Sequence, residues 1–193
     1  SLDRDEEGLE RSYELHKEAY RRIVTRCGLS FHVVESDPGM MGGATAHEFM
    51  APSEAGEDEV ALCERCNYSA NVELAVSRRC PHCEGSLYIE RVIEVGNIFR
   101  LGTKYSVPLK AVYLNEAGAE CPIVMGSYGI GPARIAAAAI EQHHDELGIV
   151  WPPAIAPFQL HLLPVNVRDQ KLVELAEAIY TQLVRERIEV LYD

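Results

Sequence analysis

MGSYGIGPARIAAAAIEQ, residues 125–142, is the stretch on which the reading of this fold turns. Gly126, Gly129 and Gly131 stand just before Arg134, where a strand-like run gives way to an alanine-rich helix. Glycines at such a junction let a ligand approach the backbone closely. The helix start offers free N–H groups and partial positive charge, and an arginine one turn in can grip an anion with a bidentate fork. Together these suit a nucleotide phosphate. The spacing is neither the dinucleotide-binding glycine pattern nor a Walker loop, which needs Gly-Lys-Ser/Thr. The same residues also fit a plain turn that packs a helix against a sheet.

Working outward, AVYLNEAGAECPIVMGSYG (111–129) reads as a hairpin turning at Asn115 to Gly118, and the helix extends over 130–148 with Gly148 as its stop. LYIERVIEVGNIF (87–99) is rich in β-branched and aromatic residues and reads as a strand interrupted near Gly96. Residues 3–27 have an apolar face of helical period, with Asp3 and Glu6 as a capping box and Gly28 as the stop. FHVVES (31–36) and HEFMA (47–51) read as strands on either side of a glycine-rich loop, with SEAGEDE (53–59) an acidic turn. The proline-rich IVWPPAIAP (149–157) is the best boundary. Beyond it a strand, a helix and a strand form a βαβ unit. The class is α+β, in two domains: 1–152 and 153–193.

Composition sets limits. The 193 residues are 47% hydrophobic and 25% charged, with a formal net charge of -12. That balance opposes tight nonspecific binding to nucleic acid, which depends on neutralising phosphates. No apolar run is long enough to span a bilayer, and the acidic start lacks the basic and apolar regions of a secretory signal. The chain reads as cytoplasmic with no membrane partner. Its first residue is not Met, which fits a piece of a longer chain.

Four of the six cysteines form CERC and CPHC, thirteen residues apart: Cys63, Cys66, Cys80 and Cys83. Two residues within each pair let a tight turn aim both sulfurs at one metal, and four thiolates surround zinc tetrahedrally. The expected site is a structural zinc in a small ribbon over about 60–86. Four sulfurs leave no open position for catalysis. Cys27 and Cys121 stand alone. Two further segments carry candidate chemistry. In GMMGGATAHEF (39–49), a glycine pair beside His47 and Glu48 can wall a small-molecule pocket, or can be a surface loop. In IEVGNIFRLGTKYS (93–106), Glu94 interrupts an apolar strand, which is costly unless it binds an amine or helps hold magnesium; Lys104 is similarly ambiguous. His143, His144, Asp145 and Glu146 read as a solvated helix end.

These stretches, with RSYELHKEAYRRIVTRCGLSFHVVESDPGMMGGATAHEFM and GEDEVALCERCNYSANVE, closely resemble bacterial-type prolyl-tRNA synthetases over nearly the whole chain. The resemblance implies a partial class II catalytic core, an antiparallel sheet flanked by helices, with the start of an α/β anticodon-binding domain at the C-terminal end. It implies a proline–tRNA ligase that uses ATP and Mg²⁺, with proline and tRNA(Pro) as partners, a homodimer at full length, and a cytoplasmic location. MGSYGIGPAR matches motif 3, at about 121–142, so Arg134 would hold the outer phosphates of ATP, with Gly129, Gly131 and Glu94 beside it. Gly42, Gly43, His47, Glu48, Asn97 and Ser127 would lie near proline. Ser127 stands where many relatives have cysteine, and Asn97 replaces a usual histidine. Motif 1 and the motif 2 arginine are absent. The short separation of Leu74 from Cys80 leaves no room for an editing insertion. Losing motif 2 implies that the isolated chain is inactive although its parent is a ligase. The competing readings are a non-catalytic, synthetase-like binding or regulatory module that keeps a zinc ribbon, and a purely structural zinc-ribbon adaptor.

Overall fold

The structure is a computed structural model and describes residues 1–193 except 44 and 76. In chain order its elements are β1 (Leu2–Asp3), α1 (Glu6–Arg26), β2 (His32–Ser36), a 3-10 turn (Gly39–Met41), β3 (Ala46–Pro52), β4 (Asp58–Cys63), β5 (Ser69–Asn71), β6 (Leu87–Gly102), α2 (Ser106–Leu109), β7 (Val112–Leu114), β8 (Glu120–Pro122), β9 (Val124–Ile130), α3 (Pro132–Gln142), β10 (His144–Asp145), β11 (Gly148–Ile149), β12 (Leu160–Leu162), α4 (Gln170–Arg185) and β13 (Val190–Tyr192). They fall into two compact units, Ser1–Val150 and Trp151–Asp193.

The first unit is built on a sheet ordered β1-β9-β6-β3-β2-β5-β4. β4 also pairs with β6, so β6, β3, β2, β5 and β4 close on themselves as a barrel. The sheet expected as antiparallel is therefore mixed: β2 meets β5 in parallel at Glu35 and Ala70. The reason is length. The sixteen residues of β6 are long enough for β9 to pair with its second half and β3 with its middle, Val92–Phe99, while β4 pairs with its start, Leu87–Val92. Closure lets Val34, Met50, Val60, Leu62 and Val92 form an apolar plug, each at most 4% exposed. The interruption near Gly96 is a bulge: Phe49 faces Gly96 but Met50 faces Glu94, so Val95 is the extra residue.

α1 lies across one face of the sheet and buries Leu9, Tyr13, Tyr20 and Val24. Its cap lies two residues later than expected: Asp5 accepts from the Gly8 N–H at 2.7 Å. Asp3 instead joins β1, pairs with Val124 and accepts from the Ser12 hydroxyl. α3 stops at Gln142, six residues before the expected stop. Asp145 accepts from the N–H groups of Leu147 and Gly148, a local alternative that ends the helix and turns the chain into the β10–β11 hairpin. Gly148 sits in that turn with φ +141 and does not cap a helix. The β7–β8 hairpin turns at Asn115–Gly118, where Asn115 Oδ1 accepts from Ala117 and Ala119 N–H groups.

The second unit is a parallel β12–β13 pair, Leu160 beside Val190, connected through α4. This is the βαβ pattern read from the sequence.

Candidate functional site

Cross-strand partners share a face of a sheet, and successive residues on a strand face opposite ways. In β3, β6 and β9 this sorts the candidates. Glu48, Asn97 and Gly129 form one row, and Ala46, Phe99 and Ser127 the next row on the same face. His47, Ile98 and Tyr128 form a row on the other face, under α1. The structure thus brings Glu48, Asn97 and Ser127 to one face and sends His47 to the opposite one. Tyr13 and His47 are hydrogen bonded at 2.6 Å, and His16 stacks flat on Tyr128 with ring centroids 3.7 Å apart.

On the open face, Glu94 is a bridge. Its Oε1 accepts from Asn97 Nδ2 at 2.6 Å and its Oε2 from Arg134 Nη1 at 3.0 Å. The bulge at Val95 is what turns Glu94 to this side, and the first turn of α3 brings Arg134 over it. Arg134 is 61% exposed and Glu94 22%. Among the described residues Arg134 is held through Nη1 alone, to Glu94 Oε2 and Glu94 O, which leaves Nε and Nη2 free to donate. Arg134, Glu94, Glu57 and Asp58 line a cavity of about 450 Å³. Asp58 belongs to the segment that sequence reading treated as a mere acidic turn. Burial, then the nearby Glu94 charge, raises its pKa. No sequence signal distinguished it from its acidic neighbours.

Glu48 is the most perturbed carboxyl of this face. It stands opposite Val34, whose side chain belongs to the barrel plug. Burial, and secondly the charge on Glu94, lift its pKa to about 7. Ser36 and Asn71 lie close enough to ease that shift, but among the described residues no hydrogen bond of good geometry reaches Glu48 Oε2, which is buried. The Ser36 hydroxyl is buried and, among the described residues, unpartnered as well. A buried acceptor without a donor is costly unless a ligand supplies one.

The glycines have distinct reasons. At Gly129 a Cβ would come within 2.6 Å of Asn97 Oδ1, so glycine makes room for the Asn97–Glu94 bond. At Gly43, with φ +109, a Cβ would strike the Arg100 carbonyl oxygen. Gly131 is the N-cap of α3 and makes no side-chain cap. Gly42 ends the 3-10 turn. Lys104 donates to the Met40 and Met41 carbonyls, both at 3.0 Å, and Tyr105 to Met41 O at 2.8 Å. Lys104 is therefore a strut for the glycine loop. Arg100, missed from the sequence, is a second one: it forks onto Glu10 with two 2.8 Å bonds, donates to Thr45 Oγ1 and covers the Tyr13 ring at 3.5 Å. Gln142 was also missed. It exchanges bonds with the Ser30 backbone and donates to Pro52 O, fixing the end of α3.

The sulfurs of Cys63, Cys66, Cys80 and Cys83 all lie within 4.8 Å of one another. The short contacts, 3.5 Å each, join Cys63 to Cys83 and Cys66 to Cys80, across the two motifs and not within them. A tetrahedral zinc with bonds of about 2.3 Å needs sulfurs roughly 3.8 Å apart, so the cluster fits one metal ion. N–H groups of Arg65 and His82 point at Cys63 and Cys80 sulfurs at 3.4 Å, and the first of these contacts leads the forces that bring the Cys63 thiol down to about 7. The expected ribbon is not a separate body: β4 and β5 are strands of the barrel, and Cys63 pairs with Leu87 at the start of β6.

No protein-family model matches the chain. The fold is that of a class II aminoacyl-tRNA synthetase core: a Giardia lamblia prolyl-tRNA synthetase solved with prolyl-adenylate superposes with a TM-score of 0.68 over 100% of this chain and 33% of its own, at 17% identity. Sequence relatives narrow the class. A proline–tRNA ligase of Thermodesulfovibrio yellowstonii is 33% identical over 329 residues, covering 95% of this chain and 58% of the relative. One of Sulfurimonas denitrificans is 37% identical over 205 residues, covering 95% and 47%. One of Halothermothrix orenii is 31% identical over 344 residues, covering 100% and 60%. Together these relationships support a prolyl-tRNA synthetase fragment. The chain spans about half to three-fifths of the length of these relatives. The 329- and 344-residue alignments far exceed its 193 residues, so those two relatives carry a long segment without counterpart here, whereas the 205-residue alignment leaves little room for one. Among the described residues no helix is long and apolar enough to cross a membrane.

Proposed function

We propose that this chain supplies the motif 3 half of a proline–tRNA ligase, a cytoplasmic enzyme that activates proline with ATP and passes it to tRNA(Pro). The observation that carries the reading is the hold on Arg134 by a single nitrogen beside Glu94 and Asn97. That arrangement fixes the guanidinium over the cavity and leaves two nitrogens for the outer phosphates of ATP. Gly129 and Gly131 keep the backbone open around them. In the reaction the proline carboxylate attacks the α-phosphorus and pyrophosphate leaves. Proline is itself the nucleophile, so the first step asks the protein for placement and charge stabilisation, not for a base. Glu94, with Asp58 near it, would hold Mg²⁺ on the phosphates.

Glu48 is the residue we assign to the proline ring nitrogen. Its buried, unpartnered Oε2 would accept from the secondary ammonium, which returns to the carboxyl the donor that it lacks. Asn97 and Ser127 share its face, while Gly42 and Gly43 form the loop beside it. His47, under α1, supports the pocket from behind and does not enter it. The four cysteines would bind structural zinc. The 1–152 segment would be a partial catalytic domain and 153–193 the start of an anticodon-binding domain, with the whole enzyme a homodimer. No editing segment belongs to this reading. Without partners for the α-phosphate, the isolated chain binds ATP but does not turn over.

Calorimetric titration of ATP with Mg²⁺ into the chain and its Arg134→Ala variant tests this, alongside proline-dependent pyrophosphate exchange. Expected are ATP binding weakened at least tenfold by the substitution, and no exchange. Absence of ATP binding at millimolar concentration overturns the phosphate assignment. Exchange at native-like rates overturns the inactivity of the chain.

A further inference from the structure

Among the described residues, Ser36 and Ser106 are the polar side chains most withdrawn from water. Ser106 donates to the Thr103 carbonyl at 3.4 Å. Ser36, 6% exposed, has no partner among the described residues. A serine at a strand end ordinarily spends its hydroxyl on nearby backbone, and a buried hydroxyl left alone is costly. Ser36 is the last residue of β2 and stands opposite Ala46, two residues before Glu48 on β3. Diagonal neighbours of this kind share a face of the sheet, within reach of a long side chain. The other buried side-chain atom without a partner among the described residues is Glu48 Oε2, and Ser36 lies within range of that carboxyl. Two unpartnered polar groups thus face the same small space from adjacent strands.

The other groups around Glu48 do little to hold a negative charge there. Glu94 of β6 and Asp58 of β4 both oppose it, and Arg134 of α3 is spent on Glu94 at 3.0 Å. Glu35 and His47 alternate to the opposite face. Asn71 of β5 is a second donor in range, with its Oδ1 taken by the Glu73 N–H. A hydroxyl both donates to a carboxylate and accepts from a protonated carboxyl. The bond to the anion is charge-assisted and the stronger of the two, so a serine here favours the ionised form. We propose that Ser36 is a positioning residue of the amine site: its hydroxyl turns onto Glu48 Oε2 and holds the carboxylate in place for a cationic ring amine. A carboxylate oxygen has lone pairs for two donors, so serine and amine can share it. The inference rests on the assignment of Glu48 to the proline nitrogen and adds the residue that readies the carboxylate for it.

Carboxyl carbon NMR shifts of the chain, labelled in glutamate and assigned with Glu48→Gln, follow Glu48 from about pH 5 to about pH 10. The expected midpoint is about 7 in the parent chain. Ser36→Ala should raise it by about one unit, a tenfold change in the ionisation equilibrium. Ser36→Cys keeps the volume but donates weakly, so it should raise the midpoint as well, and it carries the test if circular dichroism shows the alanine variant unfolded. Ser69→Ala, whose hydroxyl is already given to Val33 O, should leave the midpoint in place. Proline titration read at the same carbon separates the two assignments. Saturable binding, several-fold weaker in Ser36→Ala at about pH 7 and within about twofold of the parent at about pH 9, supports both. A Glu48 signal blind to proline at about 100 mM, with the midpoint still raised by the Ser36 variants, overturns the amine assignment and upholds the serine–carboxylate bond. The same midpoint in the parent and in both Ser36 variants overturns the proposal whether or not proline binds.

Discussion

The Tyr13 hydroxyl and His47 Nδ1 lie 2.6 Å apart, joining α1 to β3 behind the face that carries Glu48. Tyr13 is fully buried, and burial drives its phenol well above the ordinary range, so it stays neutral at all working pH values. The same bond holds His47 on the face that strand alternation gives it. We expect Tyr13→Phe to lower stability by about 1–3 kcal/mol, because an imidazole nitrogen loses its partner in a water-poor place. The midpoint and slope of urea unfolding measure this. An unchanged midpoint would mean that the bond contributes nothing net.

His47 and its neighbour Glu48 should impose opposite pH dependences. Burial first, then the charges of Lys17 and Arg100, lower His47 to about 4 from 6.5. Between those values the unfolded chain takes up a proton that the folded one refuses, so stability is lost as pH falls through that window. Glu48, raised to about 7 from 4.5, keeps its proton in the fold while the unfolded chain ionises, so stability is lost as pH rises from 4.5 to 7. The two cancel in large part from pH 4.5 to 6.5. His47→Gln should therefore give stability that falls with rising pH across that range, and Glu48→Gln stability that climbs. Glu48→Gln should also gain on the order of 1–2 kcal/mol over the parent at pH 8 and nothing near pH 4. Urea unfolding at half-unit pH steps decides; parallel profiles for all three chains would refute the pairing.

Gly43→Ala should destabilise the loop that leads into β3 by more than about 2 kcal/mol. Its φ of +109 is left-handed, and the new methyl would run into the backbone oxygen of Arg100, which cannot swing aside as a flexible side chain would. Gly118→Ala has φ +75 with open space around it, so it pays only the conformational cost, about 1 kcal/mol. Thermal unfolding of the two variants should rank Gly43→Ala clearly lower, and an inverted ranking would show that the loop rearranges around the methyl.

Metal removal should act on the barrel and not merely on a surface turn. Cys63 is the last residue of β4 and pairs with Leu87, the first of β6, so the thiol cluster closes one end of the ring of strands. One zinc per chain is expected by elemental analysis. Chelation, or Cys80→Ser, should lower the unfolding temperature by several degrees or more and increase amide exchange in β4 and β5. A chain that retains no metal after purification with zinc, yet unfolds at the same temperature with and without chelator, would contradict a structural role.

Much of this was readable from local sequence, and each miss has a physical cause. The Asn115–Gly118 turn and the Cys-x-x-Cys pairs were legible because their chemistry acts within a few residues. The opposite facing of His47 and Glu48 was also available, since neighbours on any strand alternate, but the shared motif drew them together on paper. The end of α3 was misjudged because Asp145, an ordinary helix-end residue by composition, instead bonds the N–H groups of Leu147 and Gly148. Arg100 and Gln142 gave no signal, because their partners Glu10, Thr45, Ser30 and Pro52 lie far away along the chain.

By itself the sequence determined the three long helices, most of the strands, the βαβ unit and the metal-binding spacing, because periodicity, turn chemistry and pairs of thiols are short-range properties. Only the tertiary structure decided that β4 returns to β6 and closes a barrel, that Glu94 links Asn97 to Arg134, and that Glu48 is buried without a donor. Each of those depends on which distant strands share a face and how far water is excluded from between them, a sum over the whole packed sheet that no single segment carries.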